Sequence, residues 1–554
     1  MMSWQRDTIL LFLAIGLFFC IGLAARPYLT PSEARYIEIP LQMLATGDWL
    51  TPRLNGVPYF EKPPLFYWMQ ASVMQWFGSG EFAGRIVTAV LATFTCLVTY
   101  ATARLLYGRL SGLLAAGVLA TCVLGYGLSR IAMPDMPVSL FLTCCVACFL
   151  AAQHAIDKTT RRNFYLLMYV AAALAVMSKG LIGIVIPGMV IGAWIIITKR
   201  WYILKEARLF TGLIIVFAIT APWHVLMAGK HPDFLNFYFI HEHFTRYLTD
   251  EHKRNQPWWF FIAIAPAGLL PWTFVTPHAL RGLLTTRGMP QQVRHDNLFL
   301  LLWIFLPLVF FSTSHSKLVG YIFPIFPPLA ILLGHYVGEC WKGRVTANAL
   351  RLNIYFIAVL FASALFFNHL APLHDDELKQ IITSGGLLPM TIPVVIALTL
   401  LLFATLIRRP APVLIGMLAA FAMVTDISVN YIAATLDRSS VKPLAAMVNE
   451  RLRPEDMVVA YDTYFQDLPV YLNRNVTVAG WTGELGFGVE HYPETRDWMI
   501  STDEFWQRCA SFPQNIYVFM KKDTFDGMTL PPDSCRLHAI ATYGKNMLLE
   551  KEAK

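Results

Sequence analysis

Charge interrupts this chain so rarely that long apolar runs decide what it can fold into. Thirteen runs lie between the charged loops, at 8–25, 86–103, 111–127, 138–156, 164–178, 181–198, 209–226, 258–279, 297–313, 319–338, 352–370, 391–407 and 412–433. Most reach the roughly 17–25 residues a helix needs to cross a bilayer core. Backbone groups find no water there, so a spanning segment must satisfy them internally as helix. Only 14% of the 554 residues are charged, against about 25% in soluble chains. These features exclude a soluble enzyme, a disordered tail protein and a nucleic-acid binder. They predict an α-helical integral membrane protein with about 13 transmembrane helices. The closest-spaced runs, 164–178 and 181–198, are separated only by Lys179-Gly180.

Orientation follows from Lys and Arg in short loops, which stay in the cytoplasm. Arg104, Arg109, Lys158, Arg161, Arg162, Lys199, Arg200, Lys205 and Arg208 occupy one set of loops. The set continues through Arg281, Arg287, Arg294, Lys342, Arg344, Arg351, Arg408 and Arg409. Thirteen spans place all of these, with the N-terminus, on the cytoplasmic side, and the C-terminal segment outside. Residues 434–554 carry 13 basic and 17 acidic residues, net −4, so the rest of the +8 chain is net +12. The alternative for the first run is a cleaved signal peptide, since Gly22-Leu23-Ala24 loosely imitates a cleavage site.

Three segments outside the runs exceed simple connectors: 26–85, 227–257 and the tail after 433. The expected domains are a transmembrane domain over 1–433, with 26–85 as its first external loop, and an external domain over 434–554. In that domain Met457–Tyr461, Pro469–Leu472 and Asn515–Phe519 read as strands split by turn residues, giving a small α/β domain. Seven of nine cysteines lie in or beside apolar runs, where they serve as small packing residues. Cys509 and Cys535 stand apart in the external domain and are predicted to form a disulfide.

The first external loop carries the chemistry. It reads Leu29-Thr-Pro-Ser-Glu-Ala-Arg-Tyr36, then Thr46-Gly-Asp-Trp-Leu-Thr-Pro-Arg-Leu-Asn-Gly-Val-Pro-Tyr-Phe-Glu-Lys-Pro-Pro64. Thr30, Pro31 and Glu33 fit a helix start with Thr30 as N-cap and Glu33 closing a capping box. Such an N-terminus suits a phosphate, and Pro40 limits how far the helix runs unkinked. A second, amphipathic helix is expected from Pro63-Pro64 through Trp76, with an aromatic face suited to the headgroup level.

In order along the chain, these motifs resemble the aminoarabinose transferases of lipid A, within the multispanning lipid-linked-sugar glycosyltransferases that include protein O-mannosyltransferases. The resemblance continues through Arg130-Ile-Ala-Met-Pro-Asp-Met-Pro137, Ser178-Lys-Gly180, Ala221-Pro-Trp223, His241-Glu-His-Phe-Thr-Arg-Tyr247, His252, Arg254, Pro257-Trp258 and Ser316-Lys-Leu-Val-Gly-Tyr-Ile-Phe-Pro324. Each motif alone is weak, and their order over about residues 1–335 carries the signal. It implies a transferase taking a sugar from a polyprenyl-phosphate carrier to lipid A or another envelope acceptor. The transfer is expected at the periplasmic face of a bacterial inner membrane, with 4-amino-4-deoxy-L-arabinose as a candidate sugar. No nucleotide sugar is expected, in keeping with the lack of a glycine fingerprint after a strand.

The resemblance places Lys62 and Arg246 on the donor phosphate, where fixed cations stabilise charge that grows as the glycosidic bond breaks. The plainer reading is snorkelling interfacial cations. Lys317 and Tyr321 face the same chamber in the family. Asp135 matches an acidic residue near the sugar, or is an N-terminal helix acid. Arg35 and Arg53 are candidate parts of an anionic acceptor surface. No cofactor is required, although Glu61 and His241 could share a divalent cation; a simple ion pair is the alternative.

Ser32 departs from the family, which has Asp there as the usual base candidate. Serine is no base near pH 7 without an activating partner. Glu33 is then the catalytic candidate, against its capping-box reading, or the acceptor needs no base, or the chain only binds lipid. A phosphate acceptor, with a second pKa near 6, is already anionic, whereas a hydroxyl acceptor needs deprotonation. Rival functions are glycosylation of protein or another envelope glycan, and non-catalytic polyprenyl-lipid binding or transport. Transport predicts ionisable residues deep in the membrane, and the runs are nearly free of them.

Overall fold

A computed structural model of the chain describes residues 3–245, 256–284, 290–370, 388–528 and 535–551, without the side chains of 241–245, 284 and 364–370. The chain divides into two compact units. The first comprises Met1–Leu23, Thr88–Arg130 and Pro134–Ile432; the second comprises Ala24–Val87, Ile131–Met133 and Ala433–Lys554. The first external loop thus folds with the tail, whereas the sequence reading grouped it with the membrane body.

The first unit is helical. Among the described residues, eight helices are long and apolar enough to cross a membrane. Phe260–Gly268 and the helix after it, bent by 107°, make a ninth if they are one broken span. Every apolar run read from the sequence contains a helix or helix pair. Several helices are shorter than a full crossing, including Arg109–Ala120 and Ile182–Thr198. Lys158–Lys179 and Ile182–Thr198 are separate helices because Gly180 ends the first at φ +92°, a conformation that glycine adopts without a Cβ penalty. Asp157 caps Lys158–Lys179 by accepting from the Thr160 N–H at 2.8 Å.

Small residues allow close helix packing, as at membrane helix interfaces generally. Phe326–Trp341 lies so near Arg109–Ala120 that a Cβ on Gly334 would sit 2.5 Å from the Ala115 nitrogen. Arg130 anchors irregular backbone, donating to the carbonyls of Phe19 at 2.9 Å and Ile21 at 2.5 Å and to Asn430 Oδ1 at 3.1 Å.

The second unit contains a six-stranded sheet. Its order is Met499–Ile500, Thr477–Ala479, Met457–Tyr461, Ile516–Lys521, Asn546–Lys551, His538–Tyr543. The first four strands are parallel, and the last two form an antiparallel hairpin on that edge. Val459, Phe505, Ile516, Val518 and Leu549 form its buried core with Cys509 and Cys535. Those cysteines are disulfide-bonded, with Cα atoms 5.8 Å apart.

The predicted strand 469–472 is instead the helix Asp467–Leu472. A short apolar run does not distinguish strand from helix by period. Here the Asp467 carboxylate fixes the helix start by accepting from Ser440 Oγ at 2.7 Å and the Val441 N–H at 2.9 Å. The predicted capping box is also corrected. The helix is Ala34–Thr46, running through Pro40, and Glu33 precedes it without capping it through its side chain.

Loop and tail join within this unit through buried polar contacts. Asn55 exchanges hydrogen bonds with the Val476 backbone, both at 2.9 Å, and its carbonyl accepts from Trp498 Nε1 at 2.8 Å. Gly56 holds φ +76° in this turn, and a Cβ there would lie 2.8 Å from Asn475 Nδ2.

Candidate functional site

In the second unit the loop brings charged groups together before any ligand is considered. Glu33 is fully buried, and Arg85 grips its carboxylate with Nε on Oε1 at 2.8 Å and Nη2 on Oε2 at 2.7 Å. The Ala132 N–H donates to Oε1 at 3.0 Å and the Leu29 N–H to Oε2 at 3.1 Å. Burial pushes this carboxyl up, but Arg85, Arg26 and the Ala132 N–H outweigh it and hold it below the usual carboxylate range. A carboxylate so occupied accepts no further proton readily, which is a poor property for a general base.

One helical turn onward, Glu38 is buried in the opposite state. Its Oε2 accepts from Tyr464 Oη at 2.6 Å and its Oε1 from the Asn55 N–H at 2.5 Å. Burial dominates, pushing its pKa up to about 8. Arg35, expected on an acceptor surface, is buried and paired with Glu484 at 2.5 Å. Arg53 is half-buried and donates to the Gly56 carbonyl at 3.1 Å. Ser32 is exposed.

Glu61 and Lys62 sit just before the helix Leu65–Phe77. Lys62 Nζ donates to the Glu61 carbonyl at 2.7 Å and lies 3.9 Å from Glu61 Oε2. In that helix Phe66 and Tyr67 are buried while Trp76 and Phe77 are 83% and 70% exposed, so only its far end presents aromatics. Among the described residues no group of three or more metal-ligating side chains occurs. The side chain of His241 and all of Arg246 lie outside the described residues.

In the first unit, Asp135 opens the helix Asp135–His154 and is buried. Lys179 Nζ meets its Oδ1 at 2.7 Å and lies 4.0 Å from the centre of the Tyr321 ring. Gly320 leaves room for this pair, since a Cβ there would approach Asp135 Oδ1 to 3.1 Å. Lys317 is buried, and its Nζ donates to the Gln256 carbonyl at 2.9 Å and to the Ser314 carbonyl. Burial lowers its pKa. It lines a cavity of about 550 Å³ together with Gln256, Trp258, Ile262, Val309, Ser314 and others.

The sequence reading named Asp135 and Tyr321 separately and gave no role to Lys179, which touches both. A lysine ending an apolar run was the available signal. Arg85, Glu38 and Glu484 were also missed, and no local pattern marks them.

Residues 61–225 match the family model described as dolichyl-phosphate-mannose-protein mannosyltransferase, and residues 444–550 match the aminoarabinose transferase C-terminal domain. The undecaprenyl phosphate-alpha-4-amino-4-deoxy-L-arabinose arabinosyl transferase of Erwinia tasmaniensis is 35% identical over 363 residues, 64% of this chain and 64% of that relative's length. The protein of the same name from Yersinia enterocolitica is 31% identical over 67% of this chain and 68% of its own. The chain belongs to the aminoarabinose transferase family. The crystal structure of ArnT from Cupriavidus metallidurans bound to undecaprenyl phosphate superposes with a TM-score of 0.83 at 25% identity, covering 98% of this chain and 97% of that one. Membership extends through the C-terminal region of this family member, not only its motif-bearing first half.

Proposed function

We propose that this protein moves 4-amino-4-deoxy-L-arabinose from undecaprenyl phosphate to lipid A at the periplasmic face of a bacterial inner membrane. The observation that carries the reading is the likeness along 98% of the chain to a transferase structure holding undecaprenyl phosphate. In this reading the chain crosses the membrane thirteen times, with its N-terminus cytoplasmic, and the 434–554 segment is periplasmic.

The acceptor oxygen attacks the anomeric carbon, the bond from that carbon to the phosphate oxygen breaks, and undecaprenyl phosphate leaves with the electron pair. Lys62 and Arg246 are assigned to the leaving phosphate, where their charge acts mainly on the transition state. Asp135, held by Lys179, which also lies over the Tyr321 ring, is assigned to the sugar. Lys317 lines a largely apolar cavity, whose size suits a segment of isoprenoid or acyl chain.

Glu33 is assigned a positioning role, because both its oxygens are occupied. Ser32 cannot replace the family's Asp as base. A phosphate acceptor on lipid A resolves this, since its oxygen is already anionic near neutral pH. The test is mass spectrometry of lipid A and polyprenyl-linked sugars from cells with and without the gene. Loss of the aminosugar from lipid A with build-up of the lipid-linked donor is expected. Unchanged lipid A, or loss of sugar from a protein or other glycan, overturns the assignment.

A further inference from the structure

Glu33 and Glu38 are both buried carboxyls of the first external loop, but their surroundings differ in charge. Glu33 is met by the Arg85 guanidinium. Glu38 is 1% exposed, and its two oxygens meet the Tyr464 hydroxyl and the Asn55 N–H. Besides those partners, the group that acts on it is the Glu484 carboxylate of the tail, a like charge. Arg35, on the same helix, is paired with that Glu484 at 2.5 Å and acts on Tyr464 rather than on Glu38. Among the described residues no cation therefore meets Glu38. An ionised carboxylate enclosed in this way is far costlier than a neutral one with the same contacts.

Three elements of the second unit meet at this carboxyl. Glu38 itself stands on the helix Ala34–Thr46. The Asn55 N–H belongs to the turn between the paired strands Arg53–Leu54 and Val57–Pro58, and the Asn55 side chain binds the Val476 backbone. Tyr464 follows the strand Met457–Tyr461, and its ring packs on Trp481 with centres 5.5 Å apart. Glu61 and Lys62 come directly after the hairpin, so the hairpin helps to set where Lys62 stands. Loss of the Glu38 proton to solvent leaves a carboxylate that gains by reaching water. It reaches water only if helix and tail part. Burial pushes the closed-state pKa up to about 8, which puts this change between neutral and mildly alkaline pH.

We propose that the Glu38–Tyr464 joint is a proton-operated latch that fastens the first external loop to the tail for transfer and opens, switching transfer off, when Glu38 loses its proton. The control of transfer rests on the transferase reading, whereas the opening of the joint does not. Glu38 is a positioning residue here, acting on Lys62 through the hairpin.

The experiment compares the full chain in lipid nanodiscs with Glu38→Gln, whose amide stays neutral at every pH. Hydrogen exchange is followed in 34–46 and 53–58, with the strand Ile516–Lys521 as internal reference. Transfer kcat/KM from undecaprenyl phosphate-aminoarabinose to lipid A is measured over the same pH range. Titration of donor and acceptor is common to both proteins, so the ratio of wild type to variant isolates Glu38. Wild-type protection of the loop should fall about tenfold per pH unit from about pH 6 to about pH 8, then level off. The reference strand and the variant loop should not follow it. The transfer ratio should fall by about tenfold or more from about pH 6 to about pH 9, as the closed form is depleted.

Wild-type loop protection that changes with pH no more than the reference strand overturns the proposal. So do parallel pH profiles of transfer in wild type and Glu38→Gln, the result that a purely structural Glu38 gives. If the variant does not fold, wild-type exchange decides alone, since loss confined to the loop supports the latch and its absence overturns it. Folded wild type that transfers at no pH overturns the transferase reading, while its exchange still tests the joint.

Discussion

Replacing Glu33 with Gln separates a positioning carboxylate from a catalytic one. The Arg85 and Glu33 side chains are 1% and 0% exposed, and the pair is bidentate. Removing one partner of such a pair strands the other charge in a buried site, at a cost of about 3–5 kcal/mol. Glu33→Gln should therefore lower thermal stability strongly, and Glu33→Asp, which keeps the charge, should lower it less. Arg85→Met combined with Glu33→Gln should recover part of the loss, since the double change removes both members of the bidentate pair. Because Arg85 lowers the Glu33 pKa, its stabilisation is present above the unfolded value of 4.5 and fades as pH falls through the folded value. The assay is detergent melting alongside single-turnover transfer. A general base predicts the reverse pattern: normal melting with transfer slowed about 10²–10⁴-fold. That result would refute the positioning role.

Glu38 gives a prediction of opposite sign. Its folded pKa of about 8 exceeds the unfolded 4.5, so the folded state binds the extra proton between those values. Its stability contribution is present below about pH 4.5 and is lost as pH rises toward 8; Glu38→Gln should flatten that decline in melting temperature, and an unchanged slope would count against it. Replacing Cys509 and Cys535 by Ser opens a link of separation 26 and should cost roughly 3 kcal/mol by loop-entropy estimates; alkylation of the denatured, unreduced wild type should label neither thiol of the pair. Ser32→Ala should slow transfer less than about tenfold, near 1.4 kcal/mol of barrier, in a kinetic assay with purified lipid A; a larger loss would give Ser32 a chemical role.

The membrane body was legible because hydropathy alone forces helix across a bilayer, and each apolar run indeed holds one. The ends of those helices were less so: Gly180 separates two helices that composition nearly merges. Strands Met457–Tyr461 and Ile516–Lys521 were visible as β-branched and aromatic runs, while 467–472 was decided by Asp467 contacts that no local pattern reveals. Glu33 was misread for the same reason. A capping box is a local signal, but Arg85 lies 52 residues away and outcompetes it. The joining of loop and tail was wholly hidden, since Glu38 and Tyr464 are 426 positions apart. Asp135, Lys179 and Tyr321 all lie in motifs legible in the sequence, whereas the pairing of Lys179 with the Asp135 carboxylate at 2.7 Å needed the fold.

The most direct measurement is transfer by purified protein reconstituted with undecaprenyl phosphate-aminoarabinose and lipid A, read by mass spectrometry of both lipids. Wild type should add the aminosugar to lipid A and release undecaprenyl phosphate in equal amount, on a phosphate of the acceptor. Lys62→Ala, recovered at normal yield and folded, should do neither. Folded wild type that leaves both lipids unchanged, or Lys62→Ala that transfers at the wild-type rate, would contradict the proposed reaction.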